Sequence, residues 1–244
     1  MSDFRSLHRA GEPLVLPNAW DVASARMLVE AGFPAVGTTS LGVAAANGLP
    51  DGQDATAADS LRLVRRIAGL RCHVSVDIER GSVGAAVAAA AAGAAGINVE
   101  DAMGPVERQV RLIRQVKREA PGLFVNARTD THWQRAGEVG EALRRVRAYA
   151  DAGADGVFVP GLRAPADIEA VVRGVDVPVN VLHEPCGPAV AELAALGVRR
   201  VSTGSLLFRV ALAAAVGAAR AVRDGAPVDG AGLPTYAQIA AAGG

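Results

Sequence analysis

The chain has 244 residues, half of them hydrophobic but only 4% aromatic, and its 25 basic residues balance 25 acidic ones. A balanced charge offers no broad attraction to nucleic acid or anionic lipid, and Gly or a charge breaks every alanine-rich run before the roughly 18 residues of a membrane span. The length suits one large core in a single domain over 1–244, and the start "MSDFRSLHRAGEPL" lacks an apolar signal core, which predicts a cytoplasmic protein.

Short apolar runs alternate with segments of helical period along the whole chain. "LVLP" 14–17 reads as a strand and leads into the helical "DVASARMLVEAG"; "AVGT" 35–38 follows, then "TTSLG" 38–42 and the turn-like "LPDGQ" that carries Asp51. "DATAADSLRLVRRIAG" reads as a helix, "HVSVD" 73–77 as a strand, "SVGAAVAAAAAG" as a helix and "GINVE" 96–100 as a strand. "PVERQVRLIRQVKREA", "LFVNAR" 123–128, "EVGEALRRVRAYADAG", "GVFVP" 156–160, "PADIEAVVRG", "PVNVL" 178–182, "GPAVAELAALG", "RRVST" 199–203 and "GSLLFRVALAAAVGAARAVRDG" continue the alternation.

Eight strand–helix alternations within one domain's length predict a (β/α)₈ TIM-type barrel over about 12–222, with an open doubly wound sheet as the other solution. A weak internal echo supports the count: "EAGFPAVGT", "AAGAAGINV", "DAGADGVFV" and "ALGVRRVST" each join a helix end, a glycine and a strand. The tail, about 223–244, contains "PVDGAGLPTYAQIAAAGG" and reads as a short extra C-terminal helical segment that could pack on a neighbouring subunit.

In such a barrel the C-terminal strand ends face the active site, so polar residues there read as chemistry. The third strand ends in Asp77 with Glu79 two residues on, the fourth in Glu100 and Asp101, the fifth in Arg128 with Asp130 after it. Several acids in one ring repel one another unless a cation sits among them, and oxygen donors in that number suit Mg²⁺, with Mn²⁺ as the alternative. Arg128 could clamp a carboxylate or phosphonate, and the N–H groups of Thr39, Ser40, Leu41 and Gly42 could hold a developing oxyanion. The bland reading is preferred for Asp101 and Asp130, as helix caps or salt-bridge partners, and Asp51 is balanced between turn residue and ligand. Cys72 reads as a core thiol and Trp20 as a brace beneath the first turn, while His132 and Trp133 either shape the pocket wall or pack on their loop.

The order of "LVLPNAWDVASARMLVEAGFPAVGTTSLGVAAANGLPDGQ", "VSVDIE", "GINVEDA", "LFVNARTD" and "RRVSTGSLLFR" resembles the isocitrate lyase and phosphoenolpyruvate mutase superfamily, chiefly its short carboxyvinyl-carboxyphosphonate phosphorylmutase-like and 2-methylisocitrate lyase-like members. The resemblance runs from about residue 6 to about 220. It implies a barrel that binds Mg²⁺ and a small 2-oxo or 2-hydroxy acid and makes or consumes an enolate. By position, Asp77 would be the principal metal ligand, with Glu79, Glu100 and Asp51 holding metal-bound waters. Thr39, Ser40 and Leu41 would line the oxyanion pocket, and Arg128 would hold the far carboxylate. The resemblance also implies a homo-oligomer, a dimer or tetramer, formed through an exchanged C-terminal helix.

Two departures stand out. "DIERGSVG" has Arg80 where the family has an acid or small residue and Ser82 where its next glycine is followed by an aromatic residue, and "EDAMGPVERQ" leaves only a few residues where the family's loop carries its catalytic cysteine or its phosphoryl-steadying groups. A shortened loop removes the usual general acid, which favours decarboxylation or retro-aldol cleavage with a simpler proton source over isocitrate-type cleavage by the usual route. His183 and Cys186 in "NVLHEPCG" stand after the seventh strand as replacement acid–base groups, or else as a packed imidazole and a buried filler thiol. The expectation is therefore a Mg²⁺-dependent carbon–carbon lyase. The alternatives are carbon–phosphorus chemistry on phosphonopyruvate and a non-catalytic barrel that binds a 2-oxo acid.

Overall fold

The computed structural model describes residues 3–52 and 56–243. A 3₁₀ turn, Phe4–Leu7, precedes strands β1 (Leu14–Leu16) and β2 (Asn18–Ala19), helix α1 (Val22–Glu30), β3 (Ala35–Thr38) and helices α2 (Ser40–Ala46) and α3 (Ala57–Ile67). The alternation continues with β4 (His73–Asp77), α4 (Val83–Ala91), β5 (Gly96–Glu100), α5 (Val106–Glu119), β6 (Phe124–Arg128) and α6 (Val139–Asp151). It ends with β7 (Gly156–Phe158), α7 (Pro165–Arg173), β8 (Val179–Leu182), α8 (Val190–Ala195), β9 (Arg200–Ser202), α9 (Leu206–Arg223) and α10 (Tyr236–Gly243).

All strand pairs are parallel, in the order β1-β9-β8-β7-β6-β5-β4-β3-β2. β1 and β2 are two halves of one extended stretch, so the sheet closes into the expected (β/α)₈-type barrel. The split falls at Pro17, which has no N–H to give the ladder, and each half takes a different neighbour: Leu14–Leu16 pair with β9 and Asn18–Ala19 with β3. The Asn18 side chain spans the seam. Its Oδ1 accepts from Thr203 N at 3.0 Å and Gly204 N at 2.9 Å, while its Nδ2 donates to Thr38 O at 2.7 Å. Gly37 makes room for it, since a Cβ there would lie 2.6 Å from Asn18 Nδ2.

The helices bury their apolar stripes at the expected spacing. In α3 the buried residues are Ser60, Leu63, Val64 and Ile67, and in α5 Val106, Gln109, Ile113 and Val116. The first two residues of the run predicted as α3, Asp54 and Ala55, lie outside the described residues. The internal echo has a structural basis. Gly32, Gly93, Gly153 and Gly197 all take φ between 88° and 99°, and each time the next residue's N–H reaches five back, as in Phe33 N to Leu28 O and Ala154 N to Tyr149 O. That is the Schellman end of a helix, whose left-handed residue favours glycine.

Phe4, Leu14, Leu16, Ala35 and Phe124 plug the N-terminal end of the barrel, and His8 stacks on Phe124 with ring centroids 4.4 Å apart. Burial, with the charge of Arg200, pushes the His8 imidazole down to about 4. After β3, "SLG" forms the start of α2, capped by Thr39, whose Oγ1 accepts from Gly42 N. The tail helix α10 lies against α1 of its own chain, with Arg26 Nη1 donating to Ala241 O at 2.6 Å. Large apolar side chains are exposed on α9, at Val210, Leu212, Val216 and Val222, and in the tail, at Leu233, Tyr236 and Ile239. Among the described residues no helix is long and apolar enough to cross a membrane.

Candidate active site

A cavity of about 390 Å³ opens at the C-terminal ends of the strands. Its wall gathers Asp51, Asp77, Glu79, Glu100 and Arg128 with Thr39, Ser40 and Leu41. Gly42 stands behind it, because a Cβ there would meet Trp20 Cβ at 2.9 Å. Trp20 itself packs edge-on to Phe208 of α9.

The acids are placed by backbone geometry. Past Asp77 the chain stays beside β5, with Ile78 N bonded to Asn98 O and Glu100 N to Glu79 O. Glu79 then adopts φ 53°, a left-handed conformation that a non-glycine residue takes only under constraint. That turn buries its carboxylate, which accepts from Thr56 Oγ1. Asp77 is fixed at both ends: its N–H donates to Thr38 Oγ1 at 2.9 Å and its Oδ1 accepts from Glu79 N at 3.2 Å.

Glu100 and Arg128 are register partners on β5 and β6 and pair through Nη1 and Oε2 at 2.9 Å, while Arg128 Nε donates to Asp130 Oδ1 at 2.6 Å. The guanidinium is thus engaged on two sides and also lies 6.0 Å from the Trp133 ring centroid and 5.9 Å from that of Phe158. Burial pushes Glu100 up to about 8 against the opposing pull of Arg128, and the charges of Asp77, Asp130 and Glu79 push the same way. Burial likewise raises Asp77, countered by Arg128 and reinforced by Glu79 and Asp51.

Asp101, next to Glu100, faces away from this chemistry. Its carboxylate accepts from Arg145 Nη1 at 2.9 Å, Tyr149 OH at 2.7 Å, Asp130 N at 3.1 Å and Met103 N at 3.0 Å. It is a salt-bridge partner, and it clamps a loop in which Ala102 and Met103 have φ 44° and 58°. Five residues, 101–105, separate β5 from α5.

Residues after β8 diverge from the pocket. Cys186 is exposed and lines a separate cavity of about 770 Å³ with Arg163, Glu184 and Glu192. His183 lines neither cavity; its backbone N–H still follows the sheet, donating to Ser202 O at 2.8 Å, and the residues after it line the second cavity. His132 is likewise absent from the pocket wall, whereas Trp133 and Gln134 are part of it. Cys72 is buried, which pushes its thiol up to about 11. Pocket residues that carried no signal at the strand ends are Asn18, Asn98 and Ser202. A polar residue inside an otherwise apolar strand was their only mark.

Among the described residues no three acid, imidazole or thiol groups form a ready-made cation cage. Mg²⁺ is commonly held by one or two carboxylates and completes its shell with waters and substrate oxygens, so the test of fit lies in the donors present. The donor set fits. Carboxyls that burial and their neighbours push toward the neutral form would be restored to the charged form by a divalent ion.

The phosphoenolpyruvate phosphomutase family model matches residues 4–223. An uncharacterised protein of Mycobacterium tuberculosis is 44% identical over 232 residues, 91% of this chain and 89% of that protein. The 2-methylisocitrate lyase of Bacillus subtilis is 30% identical over 196 residues, 72% of this chain and 64% of the enzyme, so just under two thirds of its length is spanned. Among solved structures, a phosphonopyruvate hydrolase in complex with oxalate and Mg²⁺ superposes with a TM-score of 0.84 at 25% identity, covering 99% of this chain and 93% of that one.

Proposed function

The chain belongs to the phosphoenolpyruvate phosphomutase family, and from that premise we propose that it is a Mg²⁺-dependent carbon–carbon lyase, of decarboxylase or retro-aldol type, for a small 2-oxo or 2-hydroxy acid. The observation that carries the reading is the meeting of Asp77, Glu79, Glu100 and Arg128, from three successive strands, on one pocket wall.

Asp77 would hold the ion, with Glu79, Glu100 and Asp51 around its waters. When bound, the ion would supply positive charge where negative charge gathers as the carbon–carbon bond breaks, on the 2-oxygen of a 2-oxo acid or on the carboxylate of the fragment leaving a 2-hydroxy acid. The chain's own groups do the rest. Thr39, Ser40 and Leu41 orient the carboxyl end, and Arg128 faces the group at the far end. Glu100 stays charged between Arg128 and the water it would hold, and the carbon left behind takes its proton from a water in the pocket. Decarboxylation of a 2-oxo dicarboxylate asks least of this site, because carbon dioxide departs without needing a proton.

Calorimetric titration of oxalate with and without Mg²⁺, on the wild type and Asp77→Ala, tests the reading. Mg²⁺-dependent binding that Asp77→Ala loses supports it and leads to a turnover panel headed by oxaloacetate. Mg²⁺-independent turnover, or full activity in Asp77→Ala, would sink it.

Carbon–phosphorus chemistry is a second reading, favoured by the phosphonopyruvate hydrolase likeness. Unchanged phosphorus NMR spectra of phosphonopyruvate and phosphoenolpyruvate would dismiss it. A third, a binding barrel without turnover, is favoured by the five-residue span between β5 and α5. Turnover above about 1 s⁻¹ on the panel ends it. Self-association belongs to the proposal as well. The exposed apolar side chains of α9 and the tail support a homo-oligomer, and sedimentation of wild type against Leu212→Arg reads it out.

A further inference from the structure

The pocket floor includes a side-chain amide whose orientation is dictated from below. Asn98 lies in β5, in register with Asp77 of β4 on one side and Asn126 of β6 on the other. Register partners on neighbouring strands project to the same face of a sheet. From the start of β9, the fully buried Arg200 crosses the barrel interior and places Nη2 3.1 Å from Asn98 Oδ1 and 3.3 Å from Ser75 Oγ. Asn126 Nδ2 donates to the same Asn98 oxygen at 2.8 Å. A guanidinium has donors only, so the amide atom facing it is the oxygen. The NH₂ is therefore turned away from Arg200, in a side chain that lines the pocket.

We propose that Asn98 contacts the substrate: its Nδ2–H donates to an oxygen of the bound acid anion beside Asp77, and Arg200 is the positioning residue that holds the amide in that sense. The proposal rests on the 2-oxo acid reading of the pocket given above. The wall around Asn98 is crowded with carboxylates, and Arg128 is already engaged by Glu100 and Asp130. An anion entering there gains from a neutral donor that need not leave an ion pair to reach it. Two donors converging on one oxygen also fix the amide before the ligand arrives, so no reorganisation accompanies binding. Asn98 and Ser75 both accept from Nη2 of the buried Arg200, while its Nε and Nη1 have no hydrogen-bond partner among the described residues.

The test is calorimetry of oxalate at saturating Mg²⁺ on the wild type, Asn98→Ala and Asn98→Asp, with Mg²⁺ alone titrated into each. The expected result for Asn98→Ala is Mg²⁺ affinity within about threefold of wild type and oxalate affinity lower by on the order of 10- to 100-fold, the range of a hydrogen bond to a charged partner. Asn98→Asp, which adds a negative charge, loses more. Arg200→Lys, with a donor still within reach of Oδ1, retains most of the affinity. Arg200→Met falls with Asn98→Ala, and the double variant falls no further, as expected of two residues acting through one contact. A purely structural Arg200 would instead give additive losses.

Should Arg200→Met fail to fold, Arg200→Lys and the Asn98 variants still decide the matter. Oxalate affinity within twofold of wild type in both Asn98 variants overturns the proposal and leaves the acid-binding reading standing. Parallel losses of Mg²⁺ and oxalate affinity also overturn it, assigning Asn98 to the support of Asp77. A wild type that binds no oxalate overturns the underlying reading, and this inference with it.

Discussion

Arg128 and Glu100 form a half-buried ion pair between adjacent strands, 2.9 Å from Nη1 to Oε2, at the wall of the strand-end pocket. Removing one member leaves the other uncompensated, at a cost between the about 1 kcal/mol of exposed pairs and the about 3–5 kcal/mol of fully buried ones. Arg128→Met is therefore expected to lower the midpoint of thermal unfolding and to abolish Mg²⁺-dependent oxalate binding. Arg128→Lys, which keeps the charge but cannot reach Glu100 and Asp130 together, should lose binding while recovering part of the stability. Equal stability in all three proteins would refute the pairing as a stabilising element.

The raised carboxyl of Glu100 sets a pH dependence whose sign can be worked out. Its folded value, about 8, exceeds the ordinary 4.5, so the folded state holds the extra proton and stability falls as pH rises between those values. His8, depressed from 6.5 to about 4, acts oppositely, but only below 6.5. Between pH 6.5 and 8 the metal-free protein should thus lose stability, and Glu100→Gln should flatten the slope. Thermal melts in a chelator-treated sample check it, and added Mg²⁺ should reduce the loss.

Ala102 and Met103 hold left-handed backbone angles that glycine adopts without strain. Met103→Gly is expected to be neutral or to stabilise by up to about 1 kcal/mol. Asp101→Ala should destabilise by about 3–5 kcal/mol, since it strips Arg145, Tyr149 and two backbone N–H groups of an acceptor. Denaturant unfolding of both variants measures the contrast, and a milder loss in Asp101→Ala than in an exposed-site control would contradict the clamp.

The two thiols should separate cleanly. Cys186 is exposed in a cavity apart from the strand-end acids, while Cys72 is buried. A thiol reagent should modify one group in the native protein and two after unfolding, and Cys186→Ser should keep wild-type oxalate binding. A loss of binding in Cys186→Ser would return that thiol to the site.

The strand ends are legible in the sequence because a carboxylate closing an apolar run, as at Asp77 and Glu100, has no packing reason to be there. The helix ends are legible through Gly32, Gly93, Gly153 and Gly197, whose left-handed angle leaves a repeated mark. What stays hidden has a physical cause in each case. Pro17 lies within an apolar run, and its missing N–H shows only when the neighbours are known. Ser40–Ala46 is one short helix with little period to detect. Asn98, Asn126 and Arg200 look misplaced within strands until the closed barrel turns their side chains toward one axis, where Asn126 Nδ2 and Arg200 Nη2 converge on the Asn98 oxygen. His183 and Cys186 follow a strand end and so read as site residues, but sequence adjacency to a strand end does not specify the direction in which a loop leaves.

The seam at Pro17 also bears on how the barrel is made. Asn18 meets Thr203 and Gly204 across 185 and 186 residues of chain, so the ring cannot shut until almost the whole polypeptide is available. A growing chain therefore carries β1 and β2 as an unclosed edge through most of its synthesis. Contacts of such long sequence separation are the slow ones to form. Closing the ring joins the Asn18 carboxamide, itself a pocket residue, to the far end of the chain, so barrel closure and completion of that part of the pocket wall coincide.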